Sequence, residues 1–148
     1  MERMHATLFA RTMSTLGLDS GYAAYVNTLP AATLAWVNAL TLFASRRRLR
    51  GAIVGHLLAL ESTSSLPNKR MPRVCDDSDS TQLQPCSSTN MVEADAVHEQ
   101  IALHDMAIPF LHSEPRQSVE LLTGFRAAIL FDADVGHHLL RSWKATRA

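Results

Sequence analysis

Met91-Val92-Glu93-Ala94-Asp95-Ala96-Val97-His98 is the stretch that decides how this chain is read. On a helix Met91, Asp95 and His98 stand at i, i+4 and i+7 and share one face. A carboxylate and an imidazole one turn apart on an inward face suit Fe(II), Mn(II) or Zn(II). Helical bundles complete such sites with Glu or Asp from facing helices. Glu61 is the obvious donor. It closes the otherwise apolar run from Ala52 to Leu60, where a lone carboxylate is costly to bury without a partner or a metal. Spacing alone does not establish the site, because an Asp-x2-His pair on a helix surface is the ordinary alternative.

Outward from this stretch the periodicity stays helical. The pattern runs from Val92 to about Leu111, with Pro109 as an expected kink or break. Ser113 and Pro115 mark the start of a last helix that carries Val119, Leu122, Phe125, Ile129, Val135, Leu139 and Trp143, to about Ala145. Asp134 and His138 on that helix are read as a surface pair. Upstream, a helix from about Leu49 to Ser64 presents Ile53, Leu57, Leu58 and Leu60, and Ser62–Ser65, Pro67 and Asn68 are expected to end it. His56 lies five residues before Glu61, shares no face with it and reads as a packed or boundary histidine. Arg46, Arg47, Arg48 and Arg50 read as a solvated turn. Pro30 opens a helix to about Phe43 that is apolar nearly all round, which predicts burial. Met4, Leu8, Met13 and Leu16 outline a first helix. Gly17 and Gly21 interrupt it, and Asp19 or Ser20 is expected to cap a short helix through Tyr22, Tyr25 and Val26. No strand-like alternation appears, so the fold class is all-α. Residues 71–90 have no apolar period and read as an irregular polar segment.

Composition excludes several function classes. The 148 residues are 47% apolar and 19% charged, in the range of a folded domain. Lys+Arg and Asp+Glu both number 14, so no net charge draws the chain to nucleic acid or to an anionic membrane. Aromatic residues make up 6%, too few for a base-stacking surface. Cys75 and Cys86 have no second pair with which to build a zinc site. No signal peptide is evident, and the longest apolar stretch, Ala31 to Ala44, falls short of the ~20 residues that cross a bilayer. A soluble, cytoplasmic protein is expected.

Three segments resemble one family. They are Tyr25-Val26-Asn27-Thr28-Leu29-Pro30, then Arg50-Gly51-Ala52-Ile53-Val54-Gly55-His56-Leu57 with Glu61-Ser62-Thr63-Ser64-Ser65, and Val92-Glu93-Ala94-Asp95-Ala96-Val97-His98-Glu99. They are similar to bacterial iron-containing redox enzymes of the haem-oxygenase-like di-iron oxidase superfamily, and the similarity spans about Leu16 to Trp143 apart from 71–90. The resemblance implies a haem-oxygenase-like helical bundle, non-haem iron (a di-iron centre in that superfamily), dioxygen and a small organic substrate. Its last metal helix carries His-x3-Asp-x2-His, which falls on Met91, Asp95 and His98, and an earlier Glu of the pattern falls on Glu61. The metal set implied here is therefore Glu61, Asp95 and His98.

Two departures accompany it. A thioether at Met91 is a poor ligand for a hard, oxygen-activating iron. The family also takes a Glu and a His from helices upstream of the Glu61 helix, so residues 1–148 are expected to form a single partial helical domain, truncated at the N-terminus. Three ligands stand where a di-iron bundle uses about six. The genetic code suggests one origin for the polar segment and for Met91. Codons compatible with Ser88-Thr89-Asn90-Met91, shifted by one base, read Phe-Asp-Glu-His and restore the full pattern. The same shift of Cys75–Asp79 reads an apolar residue followed by Arg-Arg-Leu-Gly. Paired frameshifts near residues 70 and 91 are the hypothesis, and coding DNA incompatible with those readings would end it. Polar sequence in place of a bridging helix would leave neighbouring apolar surface uncovered and favour self-association. The competing functional readings are a non-catalytic helical fragment or interaction module, and a metal- or ligand-binding bundle without redox chemistry.

Overall fold

A computed structural model describes residues 5–76 and 97–146. Five helical segments carry the fold: α1 (His5–Thr15), α2 (Ala31–Ser45), α3 (Arg50–Asp76), α4 (residues 97–113) and α5 (Ser118–Thr146). Single 3-10 turns at Val26–Thr28, Arg47–Leu49 and Pro115–Gln117 join them. No strand occurs among the described residues, and the all-α expectation holds.

Local chemistry sets the ends. α1 stops at Gly17, whose φ of 71° is left-handed, and the Leu18 N–H reaches back to Met13 O at 2.8 Å, an arrangement that caps the last carbonyls. The short helix expected over Tyr22–Val26 does not form. The Asp19 carboxylate accepts from the Gly21 N–H at 2.8 Å, and the Asp19 N–H donates to the Tyr25 hydroxyl at 2.8 Å. Asp19 thus closes a turn two residues on instead of capping a helix, and only the Val26–Thr28 3-10 turn follows. Pro30 precedes α2 as expected, with the Leu34 N–H bonded to Pro30 O at 3.1 Å.

The predicted all-round burial of α2 is not met. None of its residues is fully buried. One side, with Trp36 and Phe43, meets α3, while Val37 and Leu42 on other faces are exposed. α3 also differs from expectation, because it continues past Ser64 through Pro67 to Asp76. A proline removes one intrahelical hydrogen bond and strains the turn before it, which weakens a helix without forbidding its continuation. The remainder of the polar segment, residues 77–90, lies outside the described residues.

α3 and α5 form the centre. Built Cβ atoms at Gly51 and Gly55 would meet Gln117 and Glu120, then Leu121 and Phe125. The contacts advance together along both helices, so the two run parallel. The approach is close because small residues line it: Gly51, Ala52, Gly55 and Ala59 on α3 and Gly124 and Ala128 on α5 are all buried. Of the buried apolar residues among those described, only Leu121 has a large side chain; the rest are Ala52, Ala59, Ala102, Ala107 and Ala128. Backbone-to-backbone contact thus replaces interdigitated side chains, and Leu122, Leu130 and Trp143 remain on the outside of α5. Gly136, also in α5, tests the distinction. An added Cβ there meets nothing within 4 Å, so Gly136→Ala is expected to raise stability by roughly 0.5–1 kcal/mol through helix propensity alone. A lower melting temperature in a thermal scan would contradict this open surroundings.

α4 returns antiparallel to α3, with His98 beside Glu61 at one end and Glu114 beside Arg50 at the other. Pro109 does not end it, but the regular α-helix is interrupted directly before it. Residues Ile101–Ala107 are π-helical, and the Ile108 N–H bonds to Leu103 O, five residues back. The widened turn lies directly before Pro109, where an ordinary turn would drive the proline ring against the carbonyl of Asp105. It also keeps Ala102 and Ala107, five residues apart, both buried. Among the described residues no helix is long and apolar enough to cross a membrane.

Candidate metal centre

Glu61 sits on α3, where the core-facing run of small residues gives way to a partly open surface. His98 sits in the first described turn of α4. The antiparallel pairing of these helices brings two residues 37 positions apart in sequence together, with His98 Nδ1 3.4 Å from Glu61 Oε2. Both side chains are partly open, at 43% exposure for His98 and 36% for Glu61. At the other end the Arg50 guanidinium meets Glu114 Oε2 at 2.9 Å and fixes the same register.

An imidazole nitrogen and a carboxylate oxygen form a donor set that a borderline divalent ion accepts. Two donors that share one ion at about 2.1 Å each stand roughly 3–3.4 Å apart. The Glu61–His98 separation fits that range, as it fits a hydrogen-bonded pair. Asp95 and Met91, the other two positions of the sequence pattern, lie outside the described residues. Among the described residues no group of three or more His, Cys, Asp or Glu side chains gathers where it could hold an ion. The structure therefore brings together two of the three expected ligands.

His56 takes no part in this centre. It faces α2, with ring centroids 6.3 Å from Trp36 and 5.7 Å from Phe43, whereas Glu61 faces α4. It is fully buried, and burial lowers its pKa below the usual histidine value because the charged form loses its hydration. The packed-histidine reading of the sequence describes it correctly. Arg46, Arg47 and Arg48 are exposed, in keeping with a solvated turn, while Arg50 is drawn to Glu114. The sequence carried no signal for that last contact, nor for the bond from the Gly51 N–H to Gln117 Oε1 at 3.3 Å. The first follows from the antiparallel return of α4 and the second from the parallel placement of α3 and α5, neither of which periodicity encodes.

The family described as iron-containing redox enzyme matches residues 1–133. No curated protein and no solved structure matches the chain.

Proposed function

Because the chain belongs to the iron-containing redox enzyme family, we propose that it is an oxidoreductase of non-haem, di-iron ancestry that holds iron through Glu61, Asp95 and His98. The observation that supports this most is the meeting of Glu61 and His98 across α3 and α4 at 3.4 Å. Asp95 precedes His98 by three residues, so a helix extended back from α4 would put it on the same face. Glu61 and Asp95 would supply charge and oxygen donors, and His98 a neutral nitrogen donor. Iron in such a shell supplies the binding and activation of dioxygen toward a small organic substrate. Glu61 and His98 are partly exposed, so a metal between them would be reachable from solvent.

Two substitutions test this reading in opposite directions. Asp95→Ala is expected to weaken Fe(II) binding measured anaerobically by isothermal titration. Met91→His supplies the fourth donor of the pattern and is expected to tighten it. Fe(II) affinity that neither substitution moves would argue against the assignment. A second reading, a helical protein without catalysis, draws support from the thioether at position 91. Oxygen uptake by the Fe(II)-loaded chain with a reductant present would count against it, and tight zinc binding with no oxygen uptake would favour a metal-binding bundle instead.

A further inference from the structure

Among the described residues His56 is the only polar or charged side chain in the buried interior, with 0% exposure. Neither ring nitrogen has a hydrogen-bond partner, and the Nε1 of Trp36 beside it has none either. A neutral imidazole can fill such a place as a flat aromatic ring. An imidazolium fits it poorly, because it loses its hydration and neither nitrogen has an acceptor.

α2, which supplies Trp36 and Phe43, contains no ionisable residue over Ala31–Ser45. On α5 the half-buried ionisable groups are Glu120 and His138; Glu120 packs on Gly51, five residues before His56, and its Oε2 is buried without a hydrogen-bond partner. On α4, His98 meets Glu61, Glu99 is half-buried, and His104, Asp105 and His112 are exposed; Glu114, just after α4, meets Arg50. On α3 itself the charged neighbours are Arg50 and Glu61, six residues before and five after. α2, which packs on both α3 and α5, has no fully buried residue.

We propose that His56 is an acid-sensitive latch between α2 and α3: neutral, it seats Trp36 and Phe43 and keeps α2 on the α3–α5 pair; protonated, it releases α2. The direction follows from linkage. The folded form holds this proton less tightly than the unfolded form. The latch is therefore fully closed above the ordinary histidine value of 6.5 and opens as pH falls below it toward the lowered folded value. This inference stands apart from the iron site and does not need it.

Trp36 reports the event. Two tryptophans are present, and Trp143, exposed near the end of α5, is replaced in a Trp143→Phe chain so that Trp36 emits alone. Between about pH 8 and pH 4 its emission should shift to the red in a one-proton step, the released form rising about tenfold per pH unit around a midpoint below 6.5. Most of the far-ultraviolet helical signal should persist through that step. Adding His56→Phe should abolish the step, and His56→Gln, neutral at every pH, serves the same end if the larger ring does not fit. Overturning results are a step that survives removal of His56 or disappears on Glu120→Gln, an emission shift that coincides with loss of helicity at one midpoint, or no shift by pH 4.

Discussion

Gly55→Ala is expected to cost at least about 3 kcal/mol of stability, although alanine is the better helix former. The reason lies at the crossing of α3 and α5. A Cβ at Gly55 would fall onto the backbone carbonyl of Leu121 and against the Phe125 nitrogen, with no flexible side chain to give way. A Cβ at Gly124 would strike the Ala52 backbone in the same manner. Overpacking of a core commonly costs about 1–3 kcal/mol when side chains can shift. Here two helices must separate, which also strips contact from Ala52, Ala59, Leu121 and Ala128, most of the buried apolar set. A domain has only about 5–15 kcal/mol in hand, so Gly55→Ala should lower the urea midpoint sharply and Gly55→Leu should prevent folding. Set beside Gly136→Ala, which adds the same atom in open space, the pair separates crowding from propensity. Equal effects of the two substitutions would mean that α3 and α5 do not cross as described.

The second large effect concerns ligand removal. Glu61→Ala and His98→Ala should each weaken Fe(II) binding by about 100-fold or more, since loss of supporting residues around a metal alone costs 10–100-fold. Helicity should change little, because both side chains are partly exposed and an exposed ion pair contributes at most about 1 kcal/mol. His104→Ala, which alters an exposed imidazole on the same helix, should leave affinity unchanged. Direct titration under anaerobic conditions reads all three. Equal losses in all three variants would point to surface histidines in place of a site.

How much of this was legible in the sequence differs by residue. Helices α2, α3 and α5 announce themselves through apolar spacing, and Pro30 and Pro115 mark starts because an absent N–H is harmless there. Glu61 was legible as a carboxylate ending an otherwise apolar run, and His98 through its spacing to Asp95. Their meeting was not a matter of periodicity; it follows from the antiparallel return of α4. The C-terminal end of α3 lies beyond the expected one because Ser and Pro punctuate a helix only weakly. The π-helical turn before Pro109 was invisible, since an extra residue in one turn leaves the composition unchanged. Apolar content around α2 does not mean enclosure: one side is half-buried against α3 and α5, while Val37 and Leu42 stay exposed. The crossing of α3 and α5 was hidden for a related reason: glycine and alanine contribute little to an apolar moment, yet they set how closely two helices approach.

The most direct test of the central claim is iron stoichiometry. The purified chain, loaded with Fe(II) under anaerobic conditions and freed of excess metal, is analysed by inductively coupled plasma mass spectrometry beside its His98→Ala variant. The account predicts that the unaltered chain retains iron in stoichiometric amount and that His98→Ala loses it. No retained iron in the unaltered chain, or equal retention in both, would contradict it.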